Sequence, residues 1–202
     1  MLSALFTTVG RTVFVAALTA VLWPDLVSAD RLPSIQAPEV IEGATALTLD
    51  FSPRTEEGDW VSFVQQGREQ VVFQSQLPAG KDAVRMPGPS EAGRYDVIWS
   101  REDGAVKGRT ALGVEPADAW INGPAAGRAG KGILIQWHGP GFEGDSILLY
   151  REGLDLYLAE APIVRGRNPV LLPLDVEPGS YEVRYWYAAT QAILAQEFLT
   201  VE

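Results

Sequence analysis

The chain has 202 residues, 47% of them apolar, which is enough to bury one large core or two small ones and excludes a disordered polymer. Its 26 acidic and 16 basic residues leave a net charge of −10, a surface that repels a nucleic-acid backbone, and no Lys/Arg cluster offsets it. The absence of cysteine excludes disulfides, thiolate nucleophiles, cysteine metal sites and a lipid-bearing cysteine, while 20 Gly and 14 Pro favour short strands and turns over long helices.

In chain order, the first element is an export signal, expected over residues 1–29. Arg11 precedes an apolar run from Thr12 to Trp23, Pro24 and Asp25 break it, and Val27-Ser28-Ala29 offers small residues for cleavage before Asp30. The run is shorter than the roughly 20 residues a bilayer span needs, so no stable membrane span is expected after cleavage; an uncleaved anchor is the competing reading. The expected localisation is the periplasm or the secreted fraction.

The rest of the chain is organised by an internal repeat with an offset of 86 residues. Pro38 matches Pro124, Glu57-Gly58-Asp59 matches Glu143-Gly144-Asp145, Gly67 matches Gly153, Gly80 matches Gly166, Val84 matches Val170 and Pro87 matches Pro173. The pattern Glu91-x-Gly93-x-Tyr95-x-Val97 recurs as Glu177-x-Gly179-x-Tyr181-x-Val183. From Pro38 to Trp99 there are 12 identities in 62 ungapped positions, against roughly four for random pairing. Identity concentrates at turns, whereas strand positions conserve character: Leu47/Ile133, Leu49/Ile135, Phe51/Trp137. The duplication predicts two domains, 33–116 and 117–202, divided where Val114-Glu115-Pro116-Ala117-Asp118 interrupts the apolar pattern.

Within each repeat the apolar period is two, the signature of half-buried strands. Ile133, Ile135 and Trp137 share one face, as do Ile147 and Leu149, matched by Val61 and Phe63 in the first repeat. Tyr181, Val183 and Tyr185 alternate with Glu182, Arg184 and Trp186. The expected fold class is all-β, two tandem immunoglobulin-like β-sandwiches after an N-terminal signal segment.

The duplicated Glu-x-Gly-x-Tyr-x-Val resembles the tyrosine corner of immunoglobulin-type sandwiches, in which the ring packs inward and the hydroxyl bonds backbone across the corner. Val97 and Val183 stand where antibody domains carry a disulfide cysteine. The second repeat also resembles a bacterial immunoglobulin-like or fibronectin type III-like module of the kind found in exported von Willebrand factor A domain proteins. That resemblance rests on Trp137-His138-Gly139-Pro140, Glu143-Gly144-Asp145-x-Ile147, Pro178-Gly179-Ser180-Tyr181-Glu182-Val183-Arg184-Tyr185 and Ile193-Leu194-Ala195. The first repeat departs from it with Phe51-Ser52-Pro53, and no A domain is present. The resemblance implies a non-catalytic accessory or interaction role and brings no catalytic residues.

Candidate chemistry is sparse. His138 is the only histidine, set in a Gly-Pro turn without a second metal ligand, and no Gly-x-Ser-x-Gly elbow occurs. Asp59 and Asp145 supply too few oxygens for calcium and read as turn formers that accept local backbone N–H groups. No catalytic, cofactor-binding or metal-binding residue is expected, and the chain is not expected to be an enzyme. Trp99 and Trp137 fall on inward parity, Trp60 and Trp186 on outward parity.

Alternation also turns Leu148, Tyr150, Arg184 and Trp186 outward, on strands that are neighbours in such a sandwich. Aromatic and Arg side chains are the types enriched at binding hot spots. The matching first-repeat residues, Ser62, Val64, Ile98 and Ser100, include no aromatic anchor. These four residues are the expected partner-binding face. The expected function is a non-catalytic exported interaction or structural module that binds another protein of the cell envelope. The alternative is a carbohydrate-binding module using outward aromatic residues, with a glycan as partner; no nucleic-acid partner is expected.

Overall fold

A computed structural model describes residues 32–68, 70–154 and 156–202; the expected signal, residues 1–29, lies outside the described residues. Every regular element among the described residues is a strand. The first eight are β1 (Ser34–Gln36), β2 (Val40–Glu42), β3 (Ala46–Ser52), β4 (Asp59–Gln65), β5 (Gln70–Gln76), β6 (Ala83–Pro87), β7 (Gly93–Arg101) and β8 (Val106–Glu115). The next eight repeat the series: β9 (Trp120–Asn122), β10 (Ala126–Gly127), β11 (Gly132–His138), β12 (Ser146–Arg151), β13 (Tyr157–Pro162), β14 (Val170–Pro173), β15 (Gly179–Tyr187) and β16 (Ala192–Val201).

The duplication in sequence is a duplication in topology. A three-stranded sheet β1-β3-β6 faces a five-stranded sheet β2-β8-β7-β4-β5, and the same arrangement recurs as β9-β11-β14 against β10-β16-β15-β12-β13. All pairings are antiparallel except β2 with β8 and β10 with β16, where the first edge of the chain crosses from one sheet to the other. The result is two tandem immunoglobulin-like β-sandwiches.

Period-two patterning decides which face is buried, because successive side chains of a strand point to opposite sides. In the first sandwich Leu47, Leu49 and Phe51 of β3 meet Val61 and Phe63 of β4 and Tyr95, Val97 and Trp99 of β7. In the second, Ile133 and Ile135 of β11 meet Ile147 and Leu149 of β12 and Tyr181, Val183 and Tyr185 of β15. Trp99 is fully enclosed, its ring set edge-on to Phe51, with centroids 5.2 Å apart. Where antibody domains join their sheets covalently, Val97 and Val183 instead pack as apolar core residues.

Both corner tyrosines bond as the sequence pattern predicts. Tyr95 Oη donates to the Glu91 carbonyl at 2.7 Å and Tyr181 Oη to the Glu177 carbonyl at 2.6 Å, with both rings buried. Each tyrosine is paired with an apolar residue of the last strand, Leu112 in the first sandwich and Leu199 in the second. Those separations are seventeen and eighteen residues, so the second sandwich carries one extra residue across its last hairpin. That hairpin turn includes Thr190, whose hydroxyl lies 2.7 Å from that of Ser90 in the first sandwich.

Candidate functional site

The two Glu-Gly-Asp turns are structural. Asp59 Oδ2 accepts the Glu56 N–H at 2.8 Å and Asp145 Oδ2 accepts the Phe142 N–H at 2.9 Å, each closing a turn whose glycine has positive φ, 82° at Gly58 and 90° at Gly144. The two carboxylates then diverge. In the first sandwich Lys107 Nζ lies 3.0 Å from Asp59 Oδ2 and 4.4 Å from the Trp99 ring centroid. Burial opposes ionisation of Asp59, but the Glu56 N–H, Lys107 and the Trp99 indole outweigh it and hold its carboxyl below the usual carboxylate range. The Trp99 Nε1 itself makes no hydrogen bond of ordinary geometry.

Among the described residues no such cation pairs with Asp145. Its Oδ1 accepts the Ala188 N–H at 3.0 Å and its Oδ2 accepts the Tyr185 hydroxyl at 3.2 Å, while Tyr185 Oη in turn accepts the Gly141 N–H. Burial pushes the Asp145 carboxyl up, and the Ala188 and Phe142 N–H groups and the Tyr185 hydroxyl only partly offset it. Burial also raises the Tyr185 and Tyr187 hydroxyls, with the Asp145 charge adding to the effect. These are hydrogen-bonded anchors within a core. Among the described residues no three His, Asp or Glu side chains converge to hold a metal ion.

The four residues expected to form a partner face do lie together on the outer side of the five-stranded sheet of the second sandwich. Leu148 stands opposite Arg184, Tyr150 opposite Glu182, and Ser146 opposite Trp186. Their exposure corrects the expectation. Leu148 is 5% and Tyr150 7% exposed, whereas Arg184 and Trp186 are partly open. Alternation assigns a side chain to a face but says nothing about its neighbours on that face. Here the Arg184 guanidinium lies 4.1 Å above the Tyr150 ring centroid, held by Glu182, whose Oε2 accepts from Arg184 Nε at 2.9 Å. Tyr157 adds an edge-on ring 6.2 Å from Tyr150, and Leu148 sits between Arg184 and Glu160 across the two adjoining strands.

Two exposed aromatics on this side were not singled out in the sequence. Tyr157, 50% exposed, opens the edge strand β13, and Phe198, 64% exposed, stands opposite Glu182 on β16. Phe198 was legible in principle, since Leu199 and Val201 take the inward parity of that strand. Tyr157 was masked by the continuous apolar run around it. In the first sandwich the same face carries Ser62, Val64, Ile98 and Ser100, with Arg109 paired to Asp96 at 3.7 Å.

His138 is exposed, stacked on Trp120 with centroids 5.7 Å apart and planes inclined by 19°, and its Nε2 lies 3.3 Å from Asp118 Oδ2. No hydroxyl nucleophile adjoins it in these contacts. Two concavities are notable for what lines them. A groove of about 610 Å³ beside Phe142, Ile163 and Val164 has Glu143 and Arg165 as its ionisable groups. A crevice of about 450 Å³ between the sandwiches has Glu91 and Tyr95, the latter already committed to its corner bond. In that crevice the Ser90 and Thr190 hydroxyls are bonded to each other at 2.7 Å.

No family model matches the sequence, and no curated protein matches it. Solved structures to which the chain is similar include the BSP domain of a biofilm associated protein, at 12% identity and a TM-score of 0.36 over 84% of this chain and 29% of that one. They also include fibronectin(III)-like modules of Clostridium thermocellum CbhA, at 10% identity and a TM-score of 0.32 over 83% of this chain and 92% of that one. A two-domain fibronectin type III segment of chicken tenascin aligns at 10% identity and a TM-score of 0.34, over 83% of this chain and 98% of that one. The chain thus spans under a third of the biofilm associated chain. The fold assignment rests on the strand order and register of this molecule.

Proposed function

We propose that the chain is a non-catalytic exported module that binds another protein of the cell envelope through the outer five-stranded face of its second sandwich. In this reading residues 1–29 are a signal cleaved after Ala29, residues 33–116 and 117–202 are its two domains, and the product resides in the periplasm or outside the cell. It is the role implied by the resemblance of the second repeat to modules of exported von Willebrand factor A domain proteins. The observation that carries it is the Arg184–Tyr150 stack held by Glu182, flanked by exposed Tyr157 and Phe198 and partly open Trp186. Leu148 and Tyr150 serve as a pre-ordered floor, so little side-chain freedom is lost on binding, and the exposed aromatics supply the contact.

The test is capture of partners from an envelope fraction by the full chain and by Tyr157→Ala combined with Phe198→Ala and Trp186→Ala. Loss of a specific captured protein with unchanged thermal unfolding is the expected result. Undiminished capture would refute the face. An intact Met1 in the native protein, read by mass spectrometry, would refute cleavage.

A further inference from the structure

The duplicated fold contains its own control: one backbone, built twice, carrying different side chains on the same outward positions. On the three-stranded sheet of the first sandwich, the outward cross-strand pairs are Ser34 with Ser52, Gln36 with Asp50, and Thr48 with Arg85. This is an ordinary solvated face. The equivalent pairs of the second sandwich are Trp120 with His138, Asn122 with Gln136, and Leu134 with Leu171. All three pairs keep their register, and all six residues are exposed, with Trp120 at 47%, Leu134 at 58% and Leu171 at 62%. The neighbouring inward positions, Ile121, Ile133 and Ile135, are buried in the core, so the outward set is not needed to hold the sheet.

We propose that this face is a saccharide-binding strip that takes a neutral oligosaccharide of a few pyranose units along β11. The pairs stack at intervals of about 6.7 Å, so the strip is about 13 Å long and two to three strands wide. An aromatic plane at one end suits the C–H face of a sugar ring. The amide pair in the middle offers both carbonyl acceptors and N–H donors, the combination that sugar hydroxyls require. The leucine pair at the other end receives a second apolar ring face. None of the six side chains is a carboxylate, lysine or arginine, and the Asp118 carboxylate at the end of the strip is engaged by His138 Nε2 at 3.3 Å, whereas the first sandwich places Asp50 and Arg85 at the matching positions. An uncharged occupant therefore fits. The strip is also far smaller than the roughly 800 Å² per partner of a stable protein interface. It lies on the opposite sheet from the proposed protein-binding face, so the two assignments fail independently.

The experiment is native affinity electrophoresis of the full chain through gels containing hydroxyethyl cellulose, a β-1,3-glucan, dextran or galactomannan, with polygalacturonate as an anionic comparison. Retardation by at least one neutral polymer and not by polygalacturonate is expected. Calorimetric titration with oligosaccharides of that polymer should show at least a tenfold loss of affinity in Trp120→Ala and in Gln136→Ala, an exposed position whose replacement leaves the core intact. Thr48→Ala in the first sandwich should bind as wild type. Retardation by none of the neutral polymers would overturn the proposal. So would binding that is undiminished in Gln136→Ala, which would mark an indifferent apolar patch, or loss in Trp120→Ala of a captured protein without any saccharide binding.

Discussion

The Tyr187 hydroxyl of the second sandwich donates a 2.9 Å hydrogen bond to the Gly88 carbonyl of the first, from a side chain with no exposed surface. Phe142 packs beside the same ring, with centroids 6.0 Å apart, and Ser90 reaches Thr190 next to it. Gly88 is fixed by the packing of the first sandwich itself, because a Cβ there would lie 2.7 Å from Ile41 Cδ1 and 2.8 Å from the Thr45 carbonyl. The position equivalent to Tyr187 in the first sandwich is Arg101, which is exposed. Tyr187→Phe leaves a buried carbonyl without its donor and should cost about 1–3 kcal/mol. Calorimetric unfolding should broaden or split into two transitions as the sandwiches uncouple. An unchanged profile would mean that the bond does not couple them.

The corner tyrosines give a second, duplicated test. Tyr95→Phe and Tyr181→Phe each remove one part-buried hydrogen bond to a carbonyl four residues earlier, at a cost of about 1 kcal/mol in the sandwich that carries the change. Amide exchange should show lost protection confined to β7 and its neighbours in the first variant and to β15 and its neighbours in the second. Equal loss in both halves from either change would contradict a local role.

The corner and the core faces were legible because they depend on short spacings: a carbonyl four residues away, and alternation along one strand. Burial of Leu148 and Tyr150 was not, since it depends on Arg184, Glu182 and Tyr157 closing over them from adjoining strands. The Trp120–His138 stack also depends on register, joining residues eighteen positions apart across β9 and β11. The offset of 86 residues could have exposed it by setting Trp120 against Ser34 and His138 against Ser52. The two-to-three-residue strands β2 and β10 have no periodicity to read, being placed by the parallel partners β8 and β16.

Among the described residues Lys107 supplies the only cation within salt-bridge reach of buried Asp59, with Glu56 as its outer partner at 3.0 Å. Lys107→Met keeps the stem over Trp99 and removes the charge, which leaves a buried carboxylate uncompensated. Breaking a pair of this kind costs on the order of 3 kcal/mol. Urea denaturation should show that loss in the first sandwich, and Lys107→Met combined with Asp59→Asn should recover part of it. A double variant no more stable than the single one would show that the ammonium acts through packing and not through charge.

The two turn aspartates should give the sandwiches opposite responses to acid. Asp59 titrates below the ordinary carboxylate range in the folded chain, so its contribution is present at neutral pH and is lost only as pH falls through that lowered value. Asp145 titrates above the ordinary range because burial without a cation disfavours its charge. Its contribution is therefore full when it is protonated and is lost as pH rises through the raised value. Lowering pH from 7 to just above the ordinary carboxylate range, about 4.5, should strengthen the second sandwich through Asp145 while Asp59 stays ionised. The measurement is amide exchange at Val183 and Val97, corrected for intrinsic rates, at both pH values. Protection at Val183 should rise relative to Val97 in the wild type, and Asp145→Asn should abolish that difference while leaving Val97 unaffected. Parallel changes at both valines in the wild type would show that the buried Asp145 carboxylate is already compensated at neutral pH.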